Sequence, residues 1–429
     1  DLFTDNMKRG ESSSGQGNSE YNFILQPNTQ FPGTLWSNRY GVINFSNRVL
    51  RAWDRIYPTL TTDSDRVAAN EIKAQLLAFR ALCHFELLSY FAEDYTALDQ
   101  PGVILMDFVP DNILDVYPRN TVGESWAFIN NDIEEATNLM GATFDSASAF
   151  GAETFFLNPR AIKAIHARIA LFQGDNELAL SLSDDLDVLS TRTDFPSIFI
   201  ADTPNTEVIF SLSRLQQDDI SIAGLFYANG ASIDGSPFYE ASNELYNLYT
   251  SNDVRRDVTV LSDEIEGGSV IEGENSPSNI ILIGKYRGGV EGKSSRMNDF
   301  KMLRGGEMKL IKAEAQARLG DFAGAATSVR ELRVARIGSA PLPTYGSLEV
   351  ALTDILLERR KELAFEGHRY LDLKRIGQEI GLGIDRNDVD CASFQATNCN
   401  LPAGDYRFTL PIPRTETAAN PTIIQNTGY

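Results

Sequence analysis

The sequence predicts a mostly α-helical protein, and three observations lead to this fold class. Several long segments carry apolar residues at three- and four-residue spacing, the period of an amphipathic helix. A helix–Gly-Asp–helix pattern occurs twice. Residues 195–305 lack both features and contain segments such as TEVIFSLSRL, where apolar and polar residues alternate between Gly, Asn and Ser. We therefore expect a helical scaffold and an irregular, loop-rich half with short strands.

The first helices are indicated by apolar stripes over residues 35–57 and 70–91. A third helix follows, and its start is marked by Thr121 and Glu124, which have the spacing of a capping box. Such stripes hold all three tryptophans: Trp36, Trp53 and Trp126. We assign these tryptophans to the core.

The repeated pattern reads AIHARIALFQGDNELALSLSDDL in one copy and KAEAQARLGDFAGAATSVRELR in the other. The matched residues are Ala167 with Ala313, Gly174 with Gly320, and Ala179 with Ala325. Glycine ends the first helix of each pair, and small alanines let two helices approach closely. This is the pattern of a tetratricopeptide-type helix pair.

Composition excludes some classes of function. The chain has 429 residues and a formal net charge of −21, so nucleic acid is an unfavourable partner. No run of about 18 apolar residues is present, so no segment is predicted to span a membrane. The sequence begins at Asp1 without a methionine or an apolar leader, and we interpret it as a mature or trimmed chain.

The three cysteines differ in context. Cys83 lies on an apolar helix face and is expected to be a buried thiol. Cys391 and Cys399 share one loop, CASFQATNC, where a local disulfide fits an oxidising compartment. Two free thiols remain the alternative, and zinc is disfavoured because no histidine lies nearby.

The segment 354–377, DILLERRKELAFEGHRYLDLKRIG, is predicted to be one helix whose apolar stripe is interrupted by charges. Charges on a buried stripe must be paired, because an unpaired buried charge costs several kcal/mol. Glu362 and Glu366 have a spacing that a glycosidase could use. Each also has an arginine three residues away, Arg359 or Arg369, so structural ion pairing is the simpler interpretation.

The sequence shows few other candidates for catalytic residues or metal ligands. The histidines His84, His166 and His368 lie far apart in predicted helices, where helix packing is the favoured role. The sequence contains no phosphate-binding loop, nucleophile elbow, zinc-protease motif or dinucleotide fingerprint. We therefore predict no catalytic residue, no cofactor and no metal site.

The charged helix and the C-terminal segment TLPIPRTETAANPTIIQNTGY carry a family resemblance. The pattern ERR-x-EL-x-FEG-x-R-x-x-DL-x-R begins at Glu358, and it is followed by PIP-x-x-E, NP and QN-x-GY. Together these blocks resemble the SusD/RagB family of outer-membrane nutrient-binding lipoproteins. LYNLYTSNDVRRD is also similar to a family element. One departure is the loop FAEDY from Phe91 to Tyr95, where the family often has Phe-Gly-Asp-x-Pro-Leu.

The resemblance implies a SusD-like fold, in which four tetratricopeptide-type helix pairs support the irregular half. A Gly- and Ser-rich start predicts a flexible segment over residues 1–20, and one domain would follow over residues 21–429. Within it we place the scaffold, the irregular region and a docked tail as follows: about 35–190 with 300–377, about 195–300, and 400–429.

The function that the resemblance implies is capture of an oligo- or polysaccharide at the outer surface of a Gram-negative cell. The protein would deliver it to a SusC-like TonB-dependent transporter without breaking a bond. A lipid-bearing cysteine before Asp1 would anchor it to the outer membrane. Peptide capture, as in the RagB branch, is the alternative, followed by a glycoside hydrolase and by a protein-binding repeat scaffold.

Ligand-binding residues are expected in loops, since sugar sites use aromatic rings beside carboxylates and amides. In the family, ligand is held after the second helix and in the irregular half. The residues of those types in those regions are Asp94, Tyr95, Phe226, Tyr227, Asn229, Phe238 and Tyr239. We interpret their aromatic members as exposed loop side chains.

Overall fold

The computed structural model describes residues 1–10, 13, 15–112, 114–143, 153–215, 218, 222–226, 237–261, 280–290, 297–392 and 398–429. Contacts divide the chain into two compact units. Unit 1 contains Asp1–Ile24 and Asn176–Asp405, and unit 2 contains Leu25–Asp175 and Tyr406–Tyr429. The single domain expected over residues 21–429 stays a prediction.

The helices are α1 Asn18–Tyr21, α2 Gln30–Ile56, α3 Asp63–Phe91, α4 Val122–Thr143, α5 Pro159–Gln173, α6 Asn176–Ser183, α7 Phe195–Ile200, α8 Ala223–Phe226, α9 Asn243–Asn247, α10 Arg256–Thr259, α11 Gly305–Arg318, α12 Phe322–Ile337, α13 Leu348–Glu362, α14 Arg369–Asp372, α15 Asp388–Ala392 and α16 Arg414–Ala419. The strands are β1 Met7–Arg9, β2 Val208–Leu212, β3 Tyr239–Ala241, β4 Val260–Leu261, β5 Leu282–Ile283, β6 Phe300–Arg304, β7 Ile384–Asp385 and β8 Asn400–Leu401. The mostly α-helical class is confirmed. None of the helices in the described ranges has the length and hydropathy needed to cross a bilayer.

Unit 2 is built on the helices α2 to α5. Trp36 on α2 packs edge-on against Phe91 of α3, with ring centroids 5.0 Å apart. Arg80 on α3 donates two hydrogen bonds of 2.7 Å to Asp132 on α4. The predicted capping box is confirmed at the start of α4, where Thr121 N–H donates to Glu124 and Glu124 N–H donates back.

The tryptophan assignment is confirmed for Trp36 and Trp126, which are 2% and 3% exposed. Trp53 is only half-buried. Its ring stacks on Tyr57 at 4.3 Å and its indole N–H donates to the Ala69 carbonyl. Trp53 lies near the end of α2, where the packed pair α2 and α3 buries side chains less completely than in its middle.

The C-terminal tail completes unit 2. Leu410 N–H donates to the Tyr90 carbonyl at 2.9 Å. The side-chain amide of Asn426 donates to the carbonyls of Phe91 and Leu410, both at 2.8 Å. Arg119 donates to the Ile424 carbonyl. These bonds satisfy carbonyls at the end of α3 and fasten the tail to it.

Unit 1 contains the second copy of the repeated helix pair. Ala313 and Ala317 of α11 pack with Ala325 and Ala326 of α12 in one buried cluster. Gly320, between the two helices, has a φ of 83°, and Gly174 has a φ of 88° after α5. Both copies therefore end their first helix with a left-handed glycine, as the sequence predicts.

The strands that the structure describes in unit 1 pair in antiparallel fashion: β1 with β3, β2 with β6, β4 with β5, and β7 with β8. The first ten residues, which the composition predicts to be flexible, are held here by burial and strand pairing. Met7 pairs with Ala241. Phe3 and Met7 are buried, and Asp5 accepts two hydrogen bonds from Arg369 at 2.8 and 2.6 Å.

The single helix predicted over residues 354–377 is wrong, because the chain breaks after α13. Phe365 and Gly367 both have positive φ values, 66° and 88°. Phe365 is thereby buried in a cluster with residues of β4 and α9. A π-helical turn, Leu373–Gly377, follows α14. Burial of the Phe365 ring outweighs the helical continuation that the local spacing favours.

The charges of α13 are paired, as predicted, in a cluster that we call the arginine–glutamate core. The Glu362 carboxylate accepts hydrogen bonds from Arg304 at 2.5 Å, from Arg336 at 2.9 Å and from Arg255 at 3.2 Å. All four side chains are essentially inaccessible to solvent. Burial alone would raise the pKa of Glu362, but the three guanidiniums hold it well below its usual range.

The arginine–glutamate core extends to neighbouring segments. Arg304 also binds both oxygens of Glu366 at 2.8 Å, and the Lys285 ammonium lies 2.7 Å from the same carboxylate. Burial lowers the pKa of Lys285 to about 8. A Cβ at Gly306 would lie 2.6 Å from Glu362 Oε1. Glycine is therefore required there.

His84 packs within the helices of unit 2. It is fully buried, its Nδ1 lies 2.9 Å from the Arg80 carbonyl, and its Nε2 accepts the Met106 N–H at 3.3 Å. This arrangement fits the neutral ring with its proton on Nδ1. Burial is the main cause that lowers the pKa of His84 to about 4.

The cysteines lie in two environments. Cys391 and Cys399 form a disulfide with Cα atoms 5.7 Å apart, which is the pairing that the sequence suggests. Cys83 is buried on α3, and burial raises the pKa of its thiol to about 12. The Cys83 thiol is therefore not a nucleophile at neutral pH.

Replacing the central carboxylate should destabilise unit 1. We expect Glu362→Gln to lower the free energy of unfolding by about 3–5 kcal/mol, because three buried guanidiniums lose their shared anion. Urea titration followed by circular dichroism measures this change. The control is Glu349→Gln on the exposed face of α13, where the change should stay within about 0.5 kcal/mol. A loss below 1 kcal/mol in Glu362→Gln would contradict the importance of the cluster.

Buried His84 should make stability depend on pH. Its pKa is lower in the folded chain, about 4, than the value of 6.5 expected after unfolding, so the unfolded state binds the proton more tightly between these values. Its contribution is present above pH 6.5 and is lost as the pH falls toward 4. Between pH 7 and pH 5 we expect a loss of about 2 kcal/mol from this residue.

Urea titrations at both pH values test this expectation, with His84→Gln as the comparison. The variant should show a smaller loss between pH 7 and pH 5 than the natural chain. An equal loss in both proteins would show that other groups cause the pH dependence.

Candidate ligand-binding site

The loop after α3 contains the first predicted pair of ligand-binding residues, Asp94 and Tyr95, in unit 2. The Asp94 carboxylate is exposed, and one oxygen accepts the backbone N–H and the hydroxyl of Thr96 at 2.8 and 2.6 Å. This local turn leaves the second carboxylate oxygen of Asp94 facing solvent. Asp94 is therefore placed where it can accept a hydrogen bond from a ligand hydroxyl.

Tyr95 does not lie where the sequence analysis placed it. The expectation of an exposed loop aromatic is wrong, because its side chain is 6% exposed. Its ring packs against Trp126 and Phe172, at centroid distances of 6.5 and 5.9 Å, and its carbonyl accepts the Trp126 indole N–H. The remodelled FAEDY loop turns this ring inward, where it covers α4 and α5.

The other described candidates lie together in unit 1. Phe226, at the end of α8, and Tyr239, in β3, are both half-buried against the cluster that holds Phe365. Phe238 N–H donates to the Leu225 carbonyl at 3.1 Å, which joins the two ends of this segment. Tyr227 and Asn229, between these ends, lie outside the described residues.

The Tyr239 hydroxyl is set up as a hydrogen-bond donor. Burial, and then the nearby Glu20 carboxylate, raise the pKa of Tyr239 above its ordinary value. The phenol therefore keeps its proton at neutral pH. Its ring lies over Gly17, where a Cβ would be 2.9 Å from the ring edge.

Tyr406 is an aromatic candidate that sequence reasoning missed. It starts a 3₁₀ turn in the tail and is 45% exposed. Its ring packs edge-on to Tyr429 at 5.1 Å. Thr427 N–H donates to Glu93 Oε1 at 2.6 Å, so the same tail contacts the loop of Asp94. An exposed ring on a segment that also contacts a carboxylate-bearing loop suits a sugar.

A groove lies in unit 2 between the first turns of α2 and tail residues 413–418. Its volume is about 700 Å³. Seven of its twelve lining residues are asparagine, glutamine, serine or threonine, and Arg414 is a further one. Sequence reasoning could not find it, because its two walls are far apart along the chain and neither wall contains a recognisable motif.

The carboxylates first considered as a catalytic pair are unsuited to that role. Glu362 and Glu366 are each occupied by buried guanidiniums and do not face a cavity. A glycosidase needs one carboxyl that can hold a proton, whereas arginines lower the pKa of both. Across the described ranges, no three His, Cys, Asp or Glu side chains converge in a way that could hold a metal ion.

Comparisons with known proteins cover both ends of the chain. Residues 266–429 match the model of the SusD family, and residues 2–171 match a model described as starch-binding associating with outer membrane. SusD-like protein P2 of Formosa agariphila is 26% identical over 464 residues, which span 98% of this chain and 85% of that protein.

Solved structures share the fold. A SusD-like carbohydrate binding protein from Bacteroides vulgatus superposes with a TM-score of 0.77 and 22% identity, over 99% of this chain and 90% of that one. A SusD superfamily protein from Bacteroides thetaiotaomicron gives a TM-score of 0.76 and 23% identity, over 99% and 93%. The two family matches, together with the ERR…FEG segment and the PIP…GY tail already described, place the chain in the SusD/RagB family.

Proposed function

We propose that this protein captures an oligo- or polysaccharide outside the cell and releases it unchanged. The observation that carries the proposal is the match of residues 2–171 to a family described as starch-binding and associated with the outer membrane. That range contains the loop of Asp94. The carbohydrate-binding relative from Bacteroides vulgatus supports the same class of ligand.

The residues that we propose to contact the glycan are the loop candidates and the newly found tail aromatic. They are Asp94, Phe226, Tyr227, Asn229, Phe238, Tyr239 and Tyr406. Aromatic faces suit the C–H surfaces of pyranose rings, and the carboxylate and amides suit their hydroxyls. For Tyr95 we propose an indirect role, in which its buried ring supports the loop that presents Asp94.

The chemistry of the carboxylate pair on and after α13 supports binding without catalysis. The only pair with glycosidase spacing that the sequence suggested is neutralised by arginine. We infer that the glycan is handed to a SusC-like TonB-dependent transporter. A lipid anchor at the outer membrane, facing the exterior, would hold this protein beside it and raise the effective concentration of a weakly bound ligand.

Calorimetric titration with a panel of oligosaccharides tests the proposal. We expect heat of binding for at least one glycan and no new reducing ends after prolonged incubation. Release of reducing sugar would overturn binding without catalysis. Binding to peptides alone would replace glycan capture with peptide capture.

Variants of three proposed contact residues test the assignment. Asp94→Ala, Tyr227→Ala and Tyr406→Ala should each weaken the measured affinity by about tenfold, the scale of one lost stacking or charged hydrogen-bond contact. Phe45→Ala on α2, where the ring is 65% exposed, is the matched control and should change nothing. Unchanged binding in all three site variants would reject this placement.

Tyr95→Ala should behave differently because its ring is buried. The cavity should lower the free energy of unfolding by about 3–5 kcal/mol. Thermal and urea denaturation measure this loss. A variant that keeps its stability but loses glycan binding would show instead that Tyr95 contacts the ligand directly.

A further inference from the structure

The groove of unit 2 is lined by side chains that have no role in the proposed function. Its volume of about 700 Å³ lies within the range of small-ligand sites, about 300–1,000 Å³. One wall is the beginning of α2, and the other is the start of α16 with the residue before it. No described residue of the proposed glycan site is among those that line it.

Hydrogen bonds hold the two walls in place. Arg414 N–H donates to the Pro27 carbonyl at 2.8 Å, which ties one wall to the other. The Gln425 amide bonds both the N–H and the carbonyl of Ile412 at 2.8 Å. Asn420 donates to the Tyr117 carbonyl at 2.7 Å. The groove is therefore preformed, and a ligand need not order it.

The uncharged lining offers donors and acceptors that are not used elsewhere. The exposed side chains of Asn28, Gln30, Thr34, Asn38 and Thr415 form no hydrogen bond with any residue that the structure describes. No aromatic residue lines the groove, so ring stacking does not contribute. Its chemistry suits a ligand dense in hydroxyl groups.

Arg414 supplies the charge of the groove. It lines the groove without any carboxylate, and no described residue forms an ion pair with it. The side chain of Arg414 is exposed, so an anion from solution can reach its guanidinium. A guanidinium binds a carboxylate through two parallel hydrogen bonds. A carboxylate of a ligand can therefore pair with the Arg414 guanidinium.

We propose that this groove is a second saccharide site and that Arg414 selects a sugar bearing a carboxylate. The choice of a saccharide rests on the proposed function. The choice of an acidic one rests on the groove itself, where a single cation faces amides and hydroxyls. The protein thus distinguishes uronate-containing chains from neutral chains at a place other than its aromatic loops.

Titration of the full chain with trigalacturonate and trimannuronate tests this proposal, each beside its carboxyl-reduced counterpart. At least one acid should bind about tenfold or more tightly than its reduced form, as expected for a charge-assisted bidentate contact. Added salt should weaken binding of the acid more than binding of the neutral form.

Two variants assign the preference to the groove. Arg414→Gln should abolish the preference for the acid over its reduced form. Arg51→Gln makes an equal charge change on the exposed face of α2 and should leave this preference unchanged. Gly33→Leu is a second test, because a Cβ at Gly33 meets no atom within 4 Å, so this position has room for a side chain that narrows the groove. It should block the acid while thermal unfolding stays unchanged.

Several results would overturn the inference. These are no binding of either acid, equal affinity for acid and reduced sugar, and a preference that survives both Arg414→Gln and Gly33→Leu. Binding of an acidic tetrapeptide in place of the sugars would overturn the saccharide class. If neutral glycans still bind at the aromatic loops in these cases, the proposed function stands and only the second site fails.

Discussion

The shared carboxylate of Glu362 is the interaction on which unit 1 depends. It binds three arginines that come from three separate segments, one before α10, one at the end of β6 and one in α12. Each guanidinium would be a costly unpaired charge if its segment were displaced. The strands and helices of the irregular half are short, so this network sets their positions more strongly than their own backbone pairing does.

Sequence reasoning found the elements whose signals are local. The helical class, the capping box and the Gly-Asp helix pairs all depend on residues within a few turns of one another. The paired charges of α13 were also predictable, because a charge on an apolar stripe has few alternatives. The break at Phe365 was not, since it depends on a distant hydrophobic cluster. The burial of residues 1–10 could not be predicted for the same reason, because the residues that pair with this segment lie in β3 and α14.

The candidate site was predictable by region and less by residue. Asp94 is exposed in a loop, but Tyr95 beside it is buried because α4 and α5 offer its ring an apolar surface. The sequence alone does not say which of two adjacent loop residues turns inward. Tyr406 and the groove both depend on how the tail folds against α2 and α3. A contact between residues nearly four hundred positions apart leaves no periodic signal.

The docked tail has a consequence for how the chain acquires its structure. Unit 2 needs residues 406–429, and unit 1 joins residues 1–24 to residues 176–405. Each unit is thus built from two stretches that are far apart along the chain. During synthesis from the N-terminus, the growing chain therefore contains only part of each unit for a long time. Loop closure over such separations slows folding, and exposed apolar surface persists meanwhile. Folding of unit 2 is therefore completed late, only after residues 406–429 have become available to it.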